Sequence, residues 1–199
     1  MHAVVIAAGE GLRLRPVTKR WPKPVLPIDG RPVIASLMRE LAASGLTEAT
    51  VVTGHLAEQV EELLGDGSAF GIEIRYARQP SPDGSADAVR RAVEAGAAPP
   101  IVVSAADTLY TPGDVGRFAE VFAASGAPSA MARNADGGWA PVWGLTEAVT
   151  SILGELQGPP YELLDAVRRI GGVTEVQLGK TRDLTDPLDL VKENVPYLR

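Results

Sequence analysis

Short apolar runs alternate along this chain with amphipathic stretches of roughly ten to fifteen residues, and that alternation constrains the fold more than any other feature. His2–Ala7, rich in valine and isoleucine, reads as a buried parallel strand. Further strands are expected at Ala49–Thr53, Ile72–Ala77, Ile101–Ser104, Ser129–Ala132, Ala140–Leu145 and Val173–Leu178. Helices are expected over Pro32–Ser44, with Pro32 in its first turn and Gly45 as its stop, and over Ala57–Leu64. Others are expected at Ser85–Ala95 with Ser85 as cap, Gly113–Ala124, Glu147–Leu156, Tyr161–Ile170 and Pro187–Val195. The pattern predicts a single-domain α/β protein, a three-layer α/β/α sandwich around a mostly parallel, Rossmann-like sheet. Its 199 residues are expected to form one unit, 1–199.

Composition narrows the function. Hydrophobic residues are 45% and charged residues 22%, which argues against disorder. No apolar run approaches the ~20 residues a membrane helix needs, and the first residues lack a basic leader, so a cytoplasmic protein without membrane partners is expected. Cysteine is absent, which removes disulfides, thiolate zinc sites and thiol nucleophiles. A net charge of −6 opposes broad nucleic-acid binding. Against that background Arg13, Arg15, Lys19, Arg20, Lys23, Arg31 and Arg39 gather early in the chain. Either they form a local anion site or they are a solvated basic loop.

The segment Ala7-Ala8-Gly9-Glu10-Gly11-Leu12-Arg13-Leu14-Arg15-Pro16-Val17-Thr18, continuing to Trp21-Pro22-Lys23-Pro24, favours the anion site. It follows the first strand directly, and in open α/β sheets ligands bind beyond the carboxyl ends of strands. Two glycines there let backbone N–H groups approach a phosphate chain. Arg13 supplies a guanidinium fork for two phosphate oxygens and Lys23 a compact charge. The loop is neither a Walker motif nor the dinucleotide fingerprint, since it lacks Gly-Lys-Ser/Thr and a third glycine.

This run resembles the opening motif of the sugar-1-phosphate nucleotidyltransferases, a Gly-x-Gly-Thr-Arg-Leu loop followed by Pro-Lys. The likeness continues through Gly54-His55-Leu56-Ala57-Glu58-Gln59-Val60-Glu61, Phe70-Gly71-Ile72-Glu73-Ile74-Arg75-Tyr76 and Gln79-Pro80-Ser81-Pro82-Asp83-Gly84-Ser85-Ala86-Asp87-Ala88. One departure is Leu12, where the family has Thr or Ser; it costs a hydroxyl contact and keeps the backbone N–H. The resemblance implies transfer of a nucleoside monophosphate from a nucleoside triphosphate to a sugar 1-phosphate, with residues 1–110 as the nucleotide-binding half and 111–199 as the acceptor-binding half. It implies catalytic roles for Arg13 and Lys23 and nucleotide binding by Ala8, Gly9, Gly11, Gln79 and Gly84. It also implies a Mg²⁺ ion held by Asp107 and Asp183.

Each assignment has a plainer alternative. Asp107 also suits a turn, and Asp183 competes with Asp186, whose Asp-Pro step is a good helix opening. A glutamine amide at 79 suits uracil, thymine or guanine and, flipped, cytosine. The resemblance leans to a pyrimidine. Larger relatives hold the acceptor phosphate with a Glu-Lys-Pro lysine. This chain has no lysine between Asp107 and Gly179, so Lys180, aided by Arg182, is the expected substitute. The segment Trp139-Ala140-Pro141-Val142-Trp143-Gly144-Leu145 resembles the shorter acceptor half of the molybdenum cofactor nucleotidyltransferases. Alternatives therefore remain: the same chemistry on phosphocholine or molybdopterin-type acceptors, or a non-catalytic nucleotide-binding subunit.

Overall fold

The computed structural model describes residues 1–195. In chain order, β1 (His2–Ala7) leads through three single turns of 3₁₀ helix, at Leu12–Leu14, Val17–Lys19 and Lys23–Val25, into the ribbon of β2 (Pro27–Ile28) and β3 (Arg31–Pro32). Then follow α1 (Val33–Ala43), β4 (Glu48–Thr53), α2 (Ala57–Leu64), β5 (Glu73–Arg78), α3 (Ser85–Glu94), β6 (Ile101–Ala105) and the short β7 (Thr108–Leu109). The rest is α4 (Asp114–Ser125), β8 (Ser129–Arg133), β9 (Trp139–Leu145), α5 (Glu147–Thr150), α6 (Leu163–Ile170), β10 (Val173–Gln177), β11 (Arg182–Asp183) and α7 (Pro187–Lys192).

Seven strands form one sheet in the order β10-β8-β9-β6-β1-β4-β5. β1 pairs in parallel with both β4 and β6, and β4–β5 and β8–β10 are also parallel. β9 alone runs against its neighbours β6 and β8. The sheet separates two apolar cores. On one face Leu37, Leu41, Val60 and Phe118 bring α1, α2 and α4 against the strands. On the other, Val89, Val149 and Val167 bring α3, α5 and α6. This is the expected three-layer α/β/α sandwich. β1 lies central and is buried on both sides, which is why its six residues read as a continuous apolar run.

Some local expectations change. Ser85 is the first residue of α3 rather than its cap; Gly84 holds the cap position with φ +104°, and the Ser85 hydroxyl instead donates to Glu162 at 2.5 Å and accepts from the Leu163 N–H at 2.9 Å. The stretch Glu147–Leu156 is a short helix broken into a 3₁₀ turn at Leu153–Glu155. The last helix ends at Lys192, short of Val195, and opens on an Asp186 capping box in which the Asp186 and Asp189 side chains each accept N–H groups.

A third, small core lies off the sheet. Leu14, Leu26, Ile28, Val33 and Leu184 are all buried together. It ties the glycine-arginine loop to the β2–β3 ribbon and to the segment after β11. Burying one such leucine contributes about 1.5–3 kcal/mol, so this cluster is enough to hold an otherwise irregular stretch in place. Within the ribbon, Asp29 and Gly30 take φ of +52° and +68°, the left-handed pair a two-residue hairpin turn needs.

Candidate active site

β1 delivers its carboxyl end to the floor of a cavity of about 490 Å³. Gly9, Gly11, Leu12 and Arg13 line one side of it, Lys23 and Pro24 another, and Ala106, Asp107 and Thr185 the far wall. The loop bends because Gly11 sits at φ +61°, and a Cβ there would lie 2.9 Å from the Thr18 Cγ2. Thr18 fixes that bend by donating its hydroxyl to the Gly11 carbonyl at 2.8 Å. Gly9 is different. A Cβ on it would meet nothing within 4 Å, so its missing side chain leaves open cavity above the backbone.

Two residues outside the loop hold it from behind. The His55 imidazole donates through Nε2 to the Thr18 carbonyl at 2.8 Å, and Gln59 Nε2 donates to the Arg20 carbonyl at 2.9 Å. The one sequence signal for His55 is its place just after β4, in the Gly54–Glu61 run. Gly54 lets this corner come close, since a Cβ there would sit 2.7 Å from the Ala8 carbonyl oxygen.

The charges at the mouth are unevenly satisfied. Arg15 pairs with Glu10 at 2.9 Å. The Lys23 ammonium is in contact with the Asp107 carboxylate, and both side chains are mostly enclosed, at 14% and 27% exposure. Arg13 is exposed and makes no side-chain hydrogen bond or ion pair among the described residues. Leu12 is exposed beside it at 59%.

A long-range pairing brings Asp183 near Asp107, although Asp183 does not itself line the cavity. In the antiparallel β7–β11 ladder it lies opposite Thr108, next to Asp107. Its carboxylate accepts from the Thr185 hydroxyl at 3.1 Å, and Thr185 itself lines the cavity. Asp186, the rival position, is committed to capping α7. Tyr110, fully buried below, has its phenol pKa driven well above the usual value by burial, with the negative charges of Asp107 and Asp183 adding to the rise.

Among the described residues no group of three or more His, Asp or Glu side chains is gathered to cage a metal. One carboxylate lining an open cavity, with a second nearby on the β7–β11 ladder, is a donor set that fits magnesium, which keeps waters and takes one or two protein carboxylates plus substrate phosphates. Asp107 is paired here with the Lys23 ammonium.

Of the predicted residues, Ala8 and Asp183 adjoin this cavity without lining it, and Gln79, Gly84 and Lys180 lie away from it. Gln79 is 4% exposed and spends its amide hydrogens on Gly84 O at 3.0 Å and Asp87 Oδ2 at 2.9 Å. Because both partners only accept, the amide orientation is fixed and just Oε1 is left for another partner. Gly84 lies against residue 161, where a Cβ would fall 2.3 Å from the Tyr161 carbonyl oxygen. Asp87 also receives Arg90 at 2.5 Å and Arg91 at 2.7 Å; these and the Gln79 amide hold its carboxyl below the usual range despite burial. Lys180 lines two neighbouring cavities, one of about 430 Å³ beside Asp29, Glu40 and Thr111 and one of about 330 Å³ beside Asn134 and Asp136.

Arg182 is not available to assist it. Its guanidinium is bound to Asp29 at 2.5 and 2.9 Å and to Glu193 at 2.6 Å. Trp139, Trp143 and Tyr161 have different surroundings. Trp139 is 46% exposed beneath the Arg133 guanidinium, 3.9 Å from its ring centre, whereas Trp143 and Tyr161 pack against the core under α5 and α6.

Comparison with known proteins agrees with this geometry. Residues 2–136 match the family model described as nucleotidyl transferase. An N-acetylmuramate alpha-1-phosphate uridylyltransferase from Neisseria meningitidis is 42% identical over 81 residues, 41% of this chain and 35% of that protein. A low-salt glycan biosynthesis nucleotidyltransferase from Haloferax volcanii is 42% identical over 89 residues, 44% of this chain and 25% of the relative. A CMP-5'-(3-aminopropyl)phosphonate synthase from Streptomyces rubellomurinus is 45% identical over 82 residues, 41% of this chain and 13% of the relative. The matched segment thus spans about a third or less of these curated relatives. A solved structure from Bacillus anthracis, assigned as a glucose-1-phosphate thymidylyltransferase and complexed with sucrose, superposes with a TM-score of 0.88 over 98% of this chain and 95% of its own at 20% identity, a likeness of fold. With a family match over more than half its length and the corresponding loop folded at the mouth of its first strand, this chain belongs to the nucleotidyl transferase family.

Proposed function

We infer that this chain transfers a nucleoside monophosphate from a nucleoside triphosphate to a sugar 1-phosphate, giving an NDP-sugar and pyrophosphate in the cytoplasm. The observation that carries the reading is the cavity at the end of β1, where the Gly9–Gly11 backbone, Arg13, Lys23 and Asp107 surround one open space. Residues 1–110 then serve as the nucleotide half and residues 111–199 as the acceptor half.

The acceptor's phosphate oxygen attacks the α-phosphorus in line, and pyrophosphate leaves. A phosphate monoester with a second pKa near 6 is already largely dianionic at neutral pH, so no general base is required. Catalysis rests on holding two anions together and compensating charge as it moves. Gly9 and Gly11, with Ala8, give the triphosphate an unobstructed backbone. Arg13, with no carboxylate partner among the described residues, grips the β- and γ-phosphates as they depart. Lys23 follows the α-phosphate. Asp107 and Asp183 would hold Mg²⁺, which when bound neutralises charge on the reacting phosphates. Gln79 Oε1, fixed as an acceptor, receives an N–H from the base edge, with Gly84 shaping the turn beside it. Lys180 meets the acceptor's phosphate.

A second acceptor class is favoured by one observation: the lysine-free stretch from Asp107 to Gly179 lacks the usual sugar-phosphate contact. Pyrophosphate release measured across a matrix of triphosphates and acceptors with Mg²⁺ tests both readings. Release with a sugar 1-phosphate and UTP or dTTP is the expected outcome. Release only with phosphocholine or a molybdopterin-type acceptor would move the acceptor. Triphosphate binding without release under any pairing would make the chain a non-catalytic nucleotide-binding subunit.

A further inference from the structure

The contact between Lys23 and Asp107 bears on how a divalent ion reaches this site. Asp107 ends the turn after β6 and Lys23 opens the third 3₁₀ turn, so both backbones are fixed by neighbouring elements. The side chains meet inside the cavity, largely shielded from water, where a pair is screened less than at the surface. An ammonium and a divalent ion cannot share the same carboxylate oxygens at close range without strong repulsion. Lys23 therefore has to leave Asp107 before an ion can settle there. It needs another anion to leave for, and the cavity itself offers none: Asp107 is the single carboxylate lining it.

We propose that Lys23 is the resident counter-ion of Asp107 and that a triphosphate, by drawing the ammonium onto its own oxygens, opens Asp107 to the divalent ion. Metal and triphosphate then bind with positive coupling, and the protein alone holds the metal weakly. The coupling is reciprocal, as any linkage between two binding equilibria must be. This inference rests on the reading of Asp107 as a metal ligand, and it assigns Lys23 a task before the chemical step.

The test is direct binding of Mn²⁺, followed by electron paramagnetic resonance, to the nucleotide-free protein, with inorganic tripolyphosphate as the second ligand. Lys23→Met removes the ammonium and keeps the apolar stem. It is expected to tighten Mn²⁺ binding in the absence of tripolyphosphate on the order of tenfold, the usual scale for removing one competing partly enclosed charge. Lys23→Arg keeps the charge and is expected to stay within about twofold of the parent. Adding tripolyphosphate should tighten Mn²⁺ binding to the parent protein more than to Lys23→Met.

Unchanged or weaker Mn²⁺ binding by Lys23→Met, in protein that still melts cooperatively, would overturn the proposal and leave the metal site intact. Equal tightening by tripolyphosphate in parent and variant would also overturn it. A separate arm tests the reading beneath. Asp107→Asn placed on the Lys23→Met background should abolish the gained affinity. If Mn²⁺ stays bound undiminished, Asp107 is not the ligand, and it is that reading which fails.

Discussion

The loop after β1 and the β11–α7 segment both border the same cavity, yet they leave different shares of their charges unpaired. Along the loop, Arg15 pairs with Glu10 and Lys23 with Asp107, whereas Arg13, Lys19 and Arg20 have no carboxylate partner among the described residues. Along the segment, Arg182 is saturated by Asp29 and Glu193, Asp189 accepts the Thr185 and Asp186 N–H groups, and Lys192 lies 3.7 Å from Asp189. The two stretches carry the same residue types with different purposes. A guanidinium gripped on both sides by carboxylates joins pieces of chain together. One that faces an open cavity, with no carboxylate partner among the described residues, is left able to take an incoming anion.

Substitutions can break that contrast. The largest effect is expected from Arg13→Ala, which should lower turnover on the order of a thousandfold or more, as loss of a transition-state arginine does elsewhere. Its melting temperature should not move, because the side chain is exposed and makes no hydrogen bond or ion pair among the described residues; steady-state kinetics with a thermal melt checks both. Lys180→Ala is expected to raise the Michaelis constant for the acceptor on the order of tenfold with the triphosphate constant unchanged, the scale of one charged hydrogen bond. If acceptor kinetics and turnover both stayed as in the parent, Lys180 would have no part in acceptor binding. Arg182→Met should show the reverse signature. A partly exposed ion-pair network contributes about 1 kcal/mol, so the melt should drop by about 2–4 °C while the Arg13-dependent chemistry persists.

The smallest effect lies at the other end of β1. His2 is buried against Thr50, 2.8 Å away, and burial holds its pKa below the ordinary 6.5. The unfolded chain then binds the proton more readily than the folded one. Stability is full above pH 6.5 and falls as pH drops through and below it. Chemical denaturation of the parent and His2→Asn across that range should show the acid-side slope only in the parent.

Much of the scaffold was legible because periodicity and burial coincide in it. β1, β4 and α2 have continuous or 3.6-residue apolar patterns, and they fold within a residue of the expected bounds. The β2–β3 and β7–β11 ribbons were not legible, since a two-residue strand has no period and its partner is chosen by tertiary packing. Asp29-Gly30 was the one local hint, a hairpin-turn dipeptide. Arg13, Lys23 and Asp107 were visible as chemistry in sequence and stand together in space. The clasps that hold their loop, Thr18, His55 and Gln59, work through hydrogen bonds between backbone and distant side chains, and no spacing rule encodes those. Arg182 looked like a phosphate ligand only because Asp29 and Glu193 are remote in sequence.

The β7–β11 ladder also sets a timetable. Asp107 is made long before its partner strand, and Asp183, Leu184 and Thr185 follow only after every strand of the sheet. A nascent chain that has reached only Gln177 already owns all seven sheet strands. It still lacks the Thr185 wall of the cavity and the leucine of the small core beneath the loop. The sheet is therefore expected to form before the cavity is closed on that side.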